Sequence, residues 1–524
     1  MGNIKKGLKL IKEMKIKRLL RNLDIYLFGD FFLYQGWLRR HLNRPDYKIA
    51  LTDKITIYVC DVHHSLLQRT LNSIKKQTYP YYEVKVIQPI DLSQLDVESD
   101  YCMFLESGDL LTKNALCELI RNIRNRDAVY SDHDLYNHFF FSKPKFKPDF
   151  SIDLLRSYPY IHRAILFTKE AVSKVDTNQF DSFIYEQLLN LFVDKRLVGH
   201  IPNVLFHFQN EIQITKSLGD TLLSHYQKLN LSVKIDQSSF YFQSEYLPKE
   251  SLVSIIIPNK DHKEDLKKCI DTIYEYTDPH LFEIIIIENN SETKEIFDYY
   301  EELLLIKNIR VVYWDGIFNY SAINNYGATF ANGNYLLFLN NDVEIINNDW
   351  LLRMLGVIER EEVGIVGAKL LYGDHKVQHG GVVVGTWGLA AHMFLGQEEY
   401  YQGYMYRAAV KQNLSAVTAA CLMTKRDLFF ELKGFEEQLK VAFNDIDYCL
   451  RVREKNKLVV FDPEVVLIHH ESVSRGSDDV SEEKRQRFNS EVTFMKERWK
   501  RFLSNGDPFY NVNLTLDRTD YMIK

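Results

Sequence analysis

The chain has 524 residues and a formal net charge of −6, and this length predicts at least two domains. Its composition, 46% hydrophobic and 26% charged with 23 Gly and 12 Pro, excludes collagen-like, low-complexity and largely disordered proteins. No apolar run approaches the roughly 18–20 residues of a membrane-spanning helix, and the six widely spaced cysteines predict a reducing cytoplasm rather than a zinc cluster or a disulfide scaffold.

The first 50 residues differ from the rest in charge. They contain twelve Lys or Arg against four Asp or Glu, a balance of +8, which leaves −14 for the other 474 residues. Residues 4–20 predict a basic amphipathic helix, and residues 25–38 are rich in the aromatics that favour lipid headgroups. Two interpretations stay open, namely peripheral contact with an anionic membrane and packing on the acidic body. The acidic body argues against nucleic-acid binding.

A strand followed by a helix then occurs twice in similar form. Residues 56–60 and 254–258 predict buried parallel strands, and residues 66–74 and 266–273 predict the helices that follow them. Further matching segments are 84–87 with 284–287 and 100–109 with 334–342. The repeat predicts tandem α/β domains with mostly parallel sheets. The predicted units are a basic arm at 1–50, a first domain at 51–246, a second domain at 247–480 and a helical tail at 481–524.

Polar residues follow two strands of the second copy. Residues 288–291 come after one strand, and residues 340–344 come after the strand at 335–339. Parallel sheets bind ligands at the carboxyl ends of their strands, and carboxylate and amide oxygens suit Mg²⁺ or Mn²⁺. On its own, Asn-Asn-Asp is also typical of an ordinary turn.

A series of short motifs fills residues 251 to 476. They lie at 253–258, 288–291, 318–328, 337–344, 378–381, 418–422, 443–451 and 469–475. In this order they resemble those of family 2 glycosyltransferases with the GT-A (Rossmann-like) fold, of the bacterial surface-polysaccharide type. Residues 54–210 resemble the same superfamily more faintly, and their motifs at 130–134 and 146–149 recur in tandem-domain relatives.

The resemblance implies a site for a UDP- or dTDP-sugar and for Mn²⁺ or Mg²⁺. Asn340, Asn341 and Asp342 occupy the Asp-x-Asp position, although Asn340 departs from the usual Asp. The implied nucleotide-sugar residues are Pro258, Asn259, Glu288, Asn290, Asn340, Asn341 and Arg475. The implied metal ligands are Asp342 and His469, with His470 as the alternate.

The same resemblance implies Asp445 as the catalytic base. A carboxylate opposite the leaving group can take the proton of the attacking hydroxyl, and direct attack inverts the anomeric centre. Histidines and small residues are expected on the acceptor side. They are His379, His392, Ala419 and Ala420, with Asp447 and His470.

The predicted function is therefore metal-dependent, inverting transfer of a sugar to a surface glycan carried on lipid or protein, at the cytoplasmic face of the membrane. A non-catalytic glycan-binding or scaffold subunit is the alternative that Asn340 and Asn444 suggest, whereas the retained Asp342 and Asp445 favour an enzyme. A Rossmann dehydrogenase is disfavoured because no Gly-x-Gly-x-x-Gly follows either opening strand.

The first copy is predicted to have lost catalysis. Aligning Phe104-Leu105 with the second copy places Gly108 at the position of Asp342, and glycine offers no side-chain oxygen. Residues 180–187 lack an acidic pair ahead of an arginine. Glu106 and Asp109 remain as acidic residues that could shift into the site.

Overall fold

The computed structural model describes residues 31–41, 51–95, 97–137, 139–175, 177–238, 240–249, 251–471 and 481–524. The predicted amphipathic helix at 4–20 and Arg475 lie outside these residues. Within them, no helix combines the length and the apolar character that crossing a bilayer requires.

The first half of the chain forms an eight-stranded sheet with the strand order β2-β1-β3-β7-β5-β8-β4, and β6 pairs with β5. A separate hairpin, β9–β10, follows it. The elements are α1 (Phe31–His41), β1 (Ile55–Cys60), α2 (His64–Lys75), β2 (Tyr82–Ile87), β3 (Tyr101–Glu106), β4 (Leu110–Leu111), α3 (Ala115–Asn122), β5 (Ala128–Tyr136), β6 (Phe141–Lys145), α4 (Ile152–Ser157), β7 (Ile165–Thr168), α5 (Phe180–Val193), β8 (Val198–Phe208), α6 (Lys216–Lys228), β9 (Val233–Gln237) and β10 (Phe242–Tyr246).

The second half forms a ten-stranded sheet with the order β13-β12-β11-β14-β21-β16-β22-β15, and β17 and β20 pair with β16 and β22. The small hairpin β18–β19 stands apart from it. The elements are β11 (Val253–Asn259), α7 (Lys263–Tyr276), β12 (Phe282–Glu288), α8 (Lys294–Leu303), β13 (Ile309–Tyr313), α9 (Tyr320–Ala328), β14 (Tyr335–Leu339), β15 (Val343–Ile345), α10 (Trp350–Ile358), β16 (Val363–Leu371), β17 (Val377–His379), β18 (Val382–Val384), β19 (Ala390–His392), β20 (Gln412–Asn413), β21 (Cys421–Lys425), α11 (Arg426–Glu431), α12 (Asn444–Glu454), β22 (Leu458–His469), α13 (Glu482–Arg498) and α14 (Lys500–Asn505).

The two sheets share one topology. β1, β2 and β3 correspond to β11, β12 and β14, and an antiparallel strand, β7 or β21, follows in each. The next pair is parallel in both sheets, β5 with β8 and β16 with β22. The predicted fold class, two mostly parallel α/β sheets in tandem with helices at both ends, is confirmed. The four isoleucines of residues 284–287 are fully buried, as expected of a strand covered on both faces.

The two halves pack against each other through a continuous apolar core. One cluster of buried side chains extends from Tyr58 in the first sheet to Leu467 in the second. The β9–β10 hairpin takes part through Tyr246, whose backbone oxygen closely approaches Gly356 of α10. A Cβ at Gly356 would collide with that backbone, so the close approach requires glycine here.

Helix α1 packs on the protein itself. Tyr34, Trp37 and Leu38 are only 1–3% exposed and lie in an apolar cluster with Phe146. The Tyr34 hydroxyl donates to Asp134 at 2.5 Å. Tyr34, Trp37 and Leu38 therefore follow the second of the two open interpretations, packing on the protein body, whereas Phe32 of the same segment is 56% exposed.

The segment that follows α14 is not helical. Gly506, with a φ of 84°, ends the helix, so the helical tail predicted for 481–524 stops at Asn505. Residues 506–524, here called the strap, lie across both halves. Asp507 accepts from Val384 N and Ser415 Oγ, while Asn511 donates to Asp132 and Asn513 accepts from Trp37 Nε1.

The motifs at 130–134 and 146–149 hold this strap. Asp132 is fully buried and accepts from the backbone N of Lys147, from His200 Nε2 and from Asn511 Nδ2. The Lys147 ammonium donates to the carbonyl oxygens of Ser131 and Ile161, and burial lowers its pKa to about 7. These motifs therefore have a packing role.

Candidate functional site

The carboxyl ends of three parallel strands bring polar residues to one edge of the second sheet. β11 ends at Asn259, β12 ends at Glu288, and β14 is followed directly by Asn340. The strands are neighbours in the order β12-β11-β14, so these residues meet although they are far apart in the chain.

Glu288 begins a buried hydrogen-bond chain. Its carboxylate accepts from the Ser291 backbone N at 2.5 Å, from Ser291 Oγ at 2.6 Å and from Tyr300 Oη at 2.6 Å. Asn259 Nδ2 donates to Tyr300 Oη at 2.8 Å, and Asn259 Oδ1 accepts from Asn341 Nδ2 at 2.6 Å. Burial and then the bond to Glu288 raise the pKa of Tyr300, so its hydroxyl stays protonated. The chain fixes Asn341 relative to Glu288.

The structure thus brings together three of the residues predicted for the nucleotide. Pro258 is half-buried next to Asn259, whereas Asn290 is exposed, has a φ of 56° and donates to Gly316 O at 2.9 Å. Tyr300 was missed by the sequence analysis, because a tyrosine in an amphipathic helix carries no signal beyond that of a core residue.

Asp342 and His469 face each other at the end of β14. His469 Nε2 lies 3.1 Å from Asp342 Oδ1 and 3.1 Å from Asn340 Nδ2. On the other side of the ring, His469 Nδ1 lies 2.7 Å from Gln378 Oε1, and Gln378 Nε2 donates to the His469 carbonyl at 3.3 Å. Because an amide oxygen only accepts, Nδ1 carries the proton of the neutral ring.

In this tautomer Nε2 of His469 accepts from Asn340 Nδ2, while Asp342 Oδ1 lies 3.1 Å from the same nitrogen. An imidazole nitrogen and a carboxylate oxygen so close together form a pair of acceptors that a divalent cation could share. A carboxylate and an imidazole, with the Asn340 amide beside them, fit Mn²⁺ or Mg²⁺. Among the described residues no group of three or more His, Cys, Asp or Glu could hold a metal ion, so substrate phosphates and water would have to complete the shell.

Asp445 lies in the first turn of α12. Its Oδ2 accepts from Ala419 N at 3.1 Å, and its Oδ1 accepts from Ile446 N at 2.8 Å. Both donors are backbone groups, so the orientation of this carboxylate is fixed by the main chain. Ala420 O accepts from Asn340 N at 3.1 Å, so one short loop ties Asp445 to the end of β14.

Two histidines lie beside this loop. The ring of His379 is buried and packs edge to face on His392, with the ring centroids 4.6 Å apart. Burial, reinforced by His392 and His469, lowers the pKa of His379 well below its usual range, so this ring is neutral. Burial also lowers the pKa of His392, and the nearby Asp445 carboxylate opposes that shift. Of the predicted acceptor-side residues, these two therefore lie close to Asp445.

Two predicted acceptor-side residues do not join them. Asp447 is fully buried, and its carboxylate binds Arg451 Nε at 2.7 Å and Trp499 Nε1 at 3.0 Å. His470 turns to the Glu344 carboxylate at 2.7 Å. Asp447 therefore anchors α12 to α13, and His470 belongs to a surface ion-pair cluster.

The corresponding edge of the first sheet has a different chemistry. The strand registers make Glu106 the equivalent of Asn340 and Gly108 the equivalent of Asp342, in agreement with the sequence alignment. Gly108 adopts a φ of 114°, which favours glycine.

An arginine fills the middle of that edge. The registers of the antiparallel strands make Arg163 the equivalent of Ala420. Its guanidinium donates to both oxygens of Asp109 at 2.8 and 2.9 Å, and it lies 3.0 Å from Glu106 and 3.2 Å from Asp181. Glu106 and Asp109 are therefore bound to this side chain.

Two other neighbours of Arg163, Asp181 and Phe208, lie at positions equivalent to those of Asp445 and His469 in the second sheet. Asp181 is the second residue of α5, as Asp445 is of α12. The registers place Phe208 where the second sheet has His469, and the guanidinium lies 4.9 Å from the centre of the Phe208 ring. A fixed cation thus fills the space that Ala420 leaves in the second sheet.

Comparison with known proteins identifies relatives of this site. Residues 254–432 match the family described as "Glycosyl transferase family 2". The chain is 36% identical over 452 residues to the protein y4gI of Sinorhizobium fredii, covering 81% of this chain and 49% of that protein. It is 33% identical over 446 residues to the O-antigen biosynthesis protein RfbC of Myxococcus xanthus, covering 80% of this chain and 34% of RfbC. The chain thus spans half or less of these relatives.

Solved structures show a more distant likeness. The mannosyltransferase PcManGT from Pyrobaculum calidifontis, in complex with GDP-Man and Mn²⁺, is 15% identical with a TM-score of 0.36, over 48% of this chain and 65% of that one. GalNAc-T7 with UDP, GalNAc and Mn²⁺ is 14% identical with a TM-score of 0.39, over 49% of each chain.

Proposed function

We propose that the chain, whose residues 254–432 match glycosyl transferase family 2, transfers a sugar from a nucleoside diphosphate sugar to a glycan acceptor. The observation that carries the proposal is the meeting of Asp342, His469 and Asp445 around one loop at the carboxyl edge of the second sheet. The name of the Myxococcus relative supports a surface polysaccharide as the acceptor.

In this proposal each end of the donor has its own residues. Glu288, Asn259 and Asn341, joined by their hydrogen-bond chain, bind the nucleotide end. Asp342 and His469, with Asn340 beside them, would hold Mn²⁺ or Mg²⁺ on the diphosphate. The cation would stabilise the negative charge that develops on the leaving group.

Asp445 takes the proton of the acceptor hydroxyl. As the hydroxyl oxygen bonds to the anomeric carbon, the bond from that carbon to the phosphate oxygen breaks, and the nucleoside diphosphate leaves with the electron pair. Attack from the opposite side inverts the configuration. The Ala419 backbone N–H orients the Asp445 carboxylate, and the neutral His379 and His392 line the acceptor side.

We also propose that the second half holds the only donor site among the described residues of the chain. The Arg163 guanidinium occupies the corresponding place in the first sheet and pairs with Glu106, Asp109 and Asp181, so neither the space nor the carboxylates are available for a metal ion and a donor diphosphate. The first half then serves as a structural partner, in a protein at the cytoplasmic face of the membrane.

A panel of nucleotide sugars with Mn²⁺ or Mg²⁺ tests the function by release of nucleoside diphosphate. The wild type should turn over at least one donor, and Asp342→Ala and Asp445→Asn should abolish or sharply reduce turnover. Asp427→Asn is the matched control, because Asp427 is an exposed carboxylate in the same half of the chain. A wild type that is inert across the panel and binds no nucleotide would refute the proposal.

A further inference from the structure

The turn between β5 and β6 displays two phenylalanines to solvent. Phe139 is 83% exposed and Phe140 is 53% exposed. Asn137 Oδ1 accepts from the backbone N of Phe139 at 2.9 Å and of Phe140 at 2.8 Å. These bonds hold the backbone of both phenylalanines, and contacts within the described residues leave half or more of each ring exposed.

Helix α1 extends this apolar tip. Phe31 packs edge to face on Phe140, with the ring centroids 5.4 Å apart, and Phe32 is 56% exposed beside it. Gln35 Nε2 donates to Phe141 O at 2.6 Å and fastens the helix to the hairpin. The chain therefore enters the described structure at the tip, directly after the basic segment of residues 1–30.

A basic groove adjoins the tip. Its volume is about 940 Å³, and Arg69, Lys76 and Lys113 line it together with Tyr136 and Phe139. Among the described residues that line it there is no carboxylate. A cationic surface beside an exposed aromatic cluster complements an anionic lipid surface, since the rings enter the headgroup layer while the cations meet lipid phosphates.

We infer that this surface of the first domain, here called the docking face and defined by Phe32, Phe139, Phe140, Lys76 and Lys113, binds the protein peripherally to an anionic membrane. Charge complementarity and the basic segment that leads into α1 favour a lipid surface over a second copy of this chain. The docking face is built on folded elements and acts independently of the chemistry proposed for the second half.

Vesicle sedimentation tests the inference with the full chain. Vesicles of phosphatidylcholine with and without phosphatidylglycerol serve as probes, at low and high salt. The wild type should bind the anionic vesicles and lose binding as salt rises. Phe139→Ser with Phe140→Ser, and separately Lys76→Glu with Lys113→Glu, should each weaken binding by about tenfold or more.

Matched controls come from the second half. Leu305 is 88% exposed and Lys307 is an exposed lysine, so Leu305→Ser with Lys307→Glu changes the same kinds of side chain away from the docking face. This control should bind vesicles as the wild type does. All variants should keep the wild-type thermal midpoint, because the substituted side chains are exposed.

A chain without residues 2–30 separates the docking face from the basic segment. It should retain measurable binding that the phenylalanine substitutions abolish. The inference is overturned if the wild type ignores anionic vesicles, if the docking-face variants bind like the wild type, or if deletion of residues 2–30 alone removes all binding. It is also overturned if the variants change the oligomeric state by light scattering while vesicle binding stays constant, since the face would then join two copies of the chain.

Discussion

Arg360 binds Asp153 through two parallel hydrogen bonds where the two halves of the molecule meet. Nη1 donates to Oδ1 at 2.5 Å and Nη2 donates to Oδ2 at 2.9 Å, and both side chains are 1% exposed. Asn413 Nδ2 adds a bond to Asp153 at 2.6 Å. A buried pair of this kind is weak evidence for net stability, but removing one partner leaves the other charge buried without compensation.

Asp153→Asn should therefore destabilise the protein by about 3–5 kcal/mol, because it removes the carboxylate that pairs with the buried Arg360 guanidinium. Urea unfolding followed by circular dichroism measures the loss. Glu431→Gln is the control, since its pair with Lys455 is about half exposed and worth about 0–1 kcal/mol. A loss for Asp153→Asn no greater than that of the control would contradict the prediction.

The same pair predicts a dependence of stability on pH. Burial alone would raise the pKa of Asp153, but the Arg360 guanidinium and its hydrogen bonds outweigh burial and lower the pKa to about 2. A folded-state pKa below the unfolded value of about 4 contributes stability that is complete above pH ~4 and is lost as pH falls towards 2. The difference in unfolding free energy between wild type and Asp153→Asn should shrink across that window. A difference that stays constant between pH 5 and pH 2 would exclude this account.

Asp445→Asn should lower kcat by about 10²–10⁴-fold, because asparagine can still accept the Ala419 N–H but cannot take a proton. Steady-state release of nucleoside diphosphate measures the effect. The KM for the nucleotide sugar should remain near that of the wild type, since donor binding is assigned to other residues. An equal loss in donor affinity would show that Asp445 acts in substrate binding rather than in proton transfer.

Gln378→Leu should weaken Mn²⁺ binding by about 10–100-fold, because His469 loses the acceptor that holds its proton on Nδ1. Titration of Mn²⁺ by paramagnetic resonance measures the affinity without turnover. Gln378→Glu keeps an acceptor at that place and should bind Mn²⁺ nearly as well as the wild type. If both variants bind equally well, the orientation of His469 does not depend on this contact.

Ala420→Arg should close the second site by copying Arg163. The new guanidinium would reach towards Asp342 and Asp445, as Arg163 reaches its three carboxylates, and should abolish Mn²⁺ and donor binding with the fold intact. Ala420→Ser, which adds one small hydroxyl, should retain both. Retained Mn²⁺-dependent donor binding by a folded Ala420→Arg protein would show that the two edges are not equivalent.

The strands were the part of the fold that the sequence could predict. The run at 284–287 combines β-branched side chains with complete apolarity, which is typical of a central parallel strand, and Asp342 comes three residues after the apolar strand at 335–339. These patterns are local, so they survive without knowledge of the partner strands. The pairing register of the strands depends on residues far apart in the chain. The contacts of Arg163 likewise could not be predicted, because they join three separate segments of the sequence.

Asp447 shows why the rest of the site could not be predicted. It follows Asp445 by two residues in the same motif, yet positions two apart on a helix do not face the same way. Only the burial of α12 decides which carboxylate meets the site, and the structure gives that place to Asp445 while Asp447 binds Arg451. In the same way, the aromatic pattern at 25–38 could not predict that Trp37 Nε1 donates a hydrogen bond to Asn513 Oδ1.

The contact between Trp37 and the strap also constrains the order in which the molecule can be completed during translation. Its two residues are 476 positions apart, so the indole of α1 waits for its partner until the ribosome has synthesised both sheets. Asp132 likewise waits 379 positions for Asn511. The first sheet can form early together with the contacts of Tyr34 and Gln35 in α1, but the seam that the strap makes with Trp37 and Asp132 closes only after the strap has emerged. We therefore expect this seam to form as the slow step of assembly, since contacts of such long sequence separation form late.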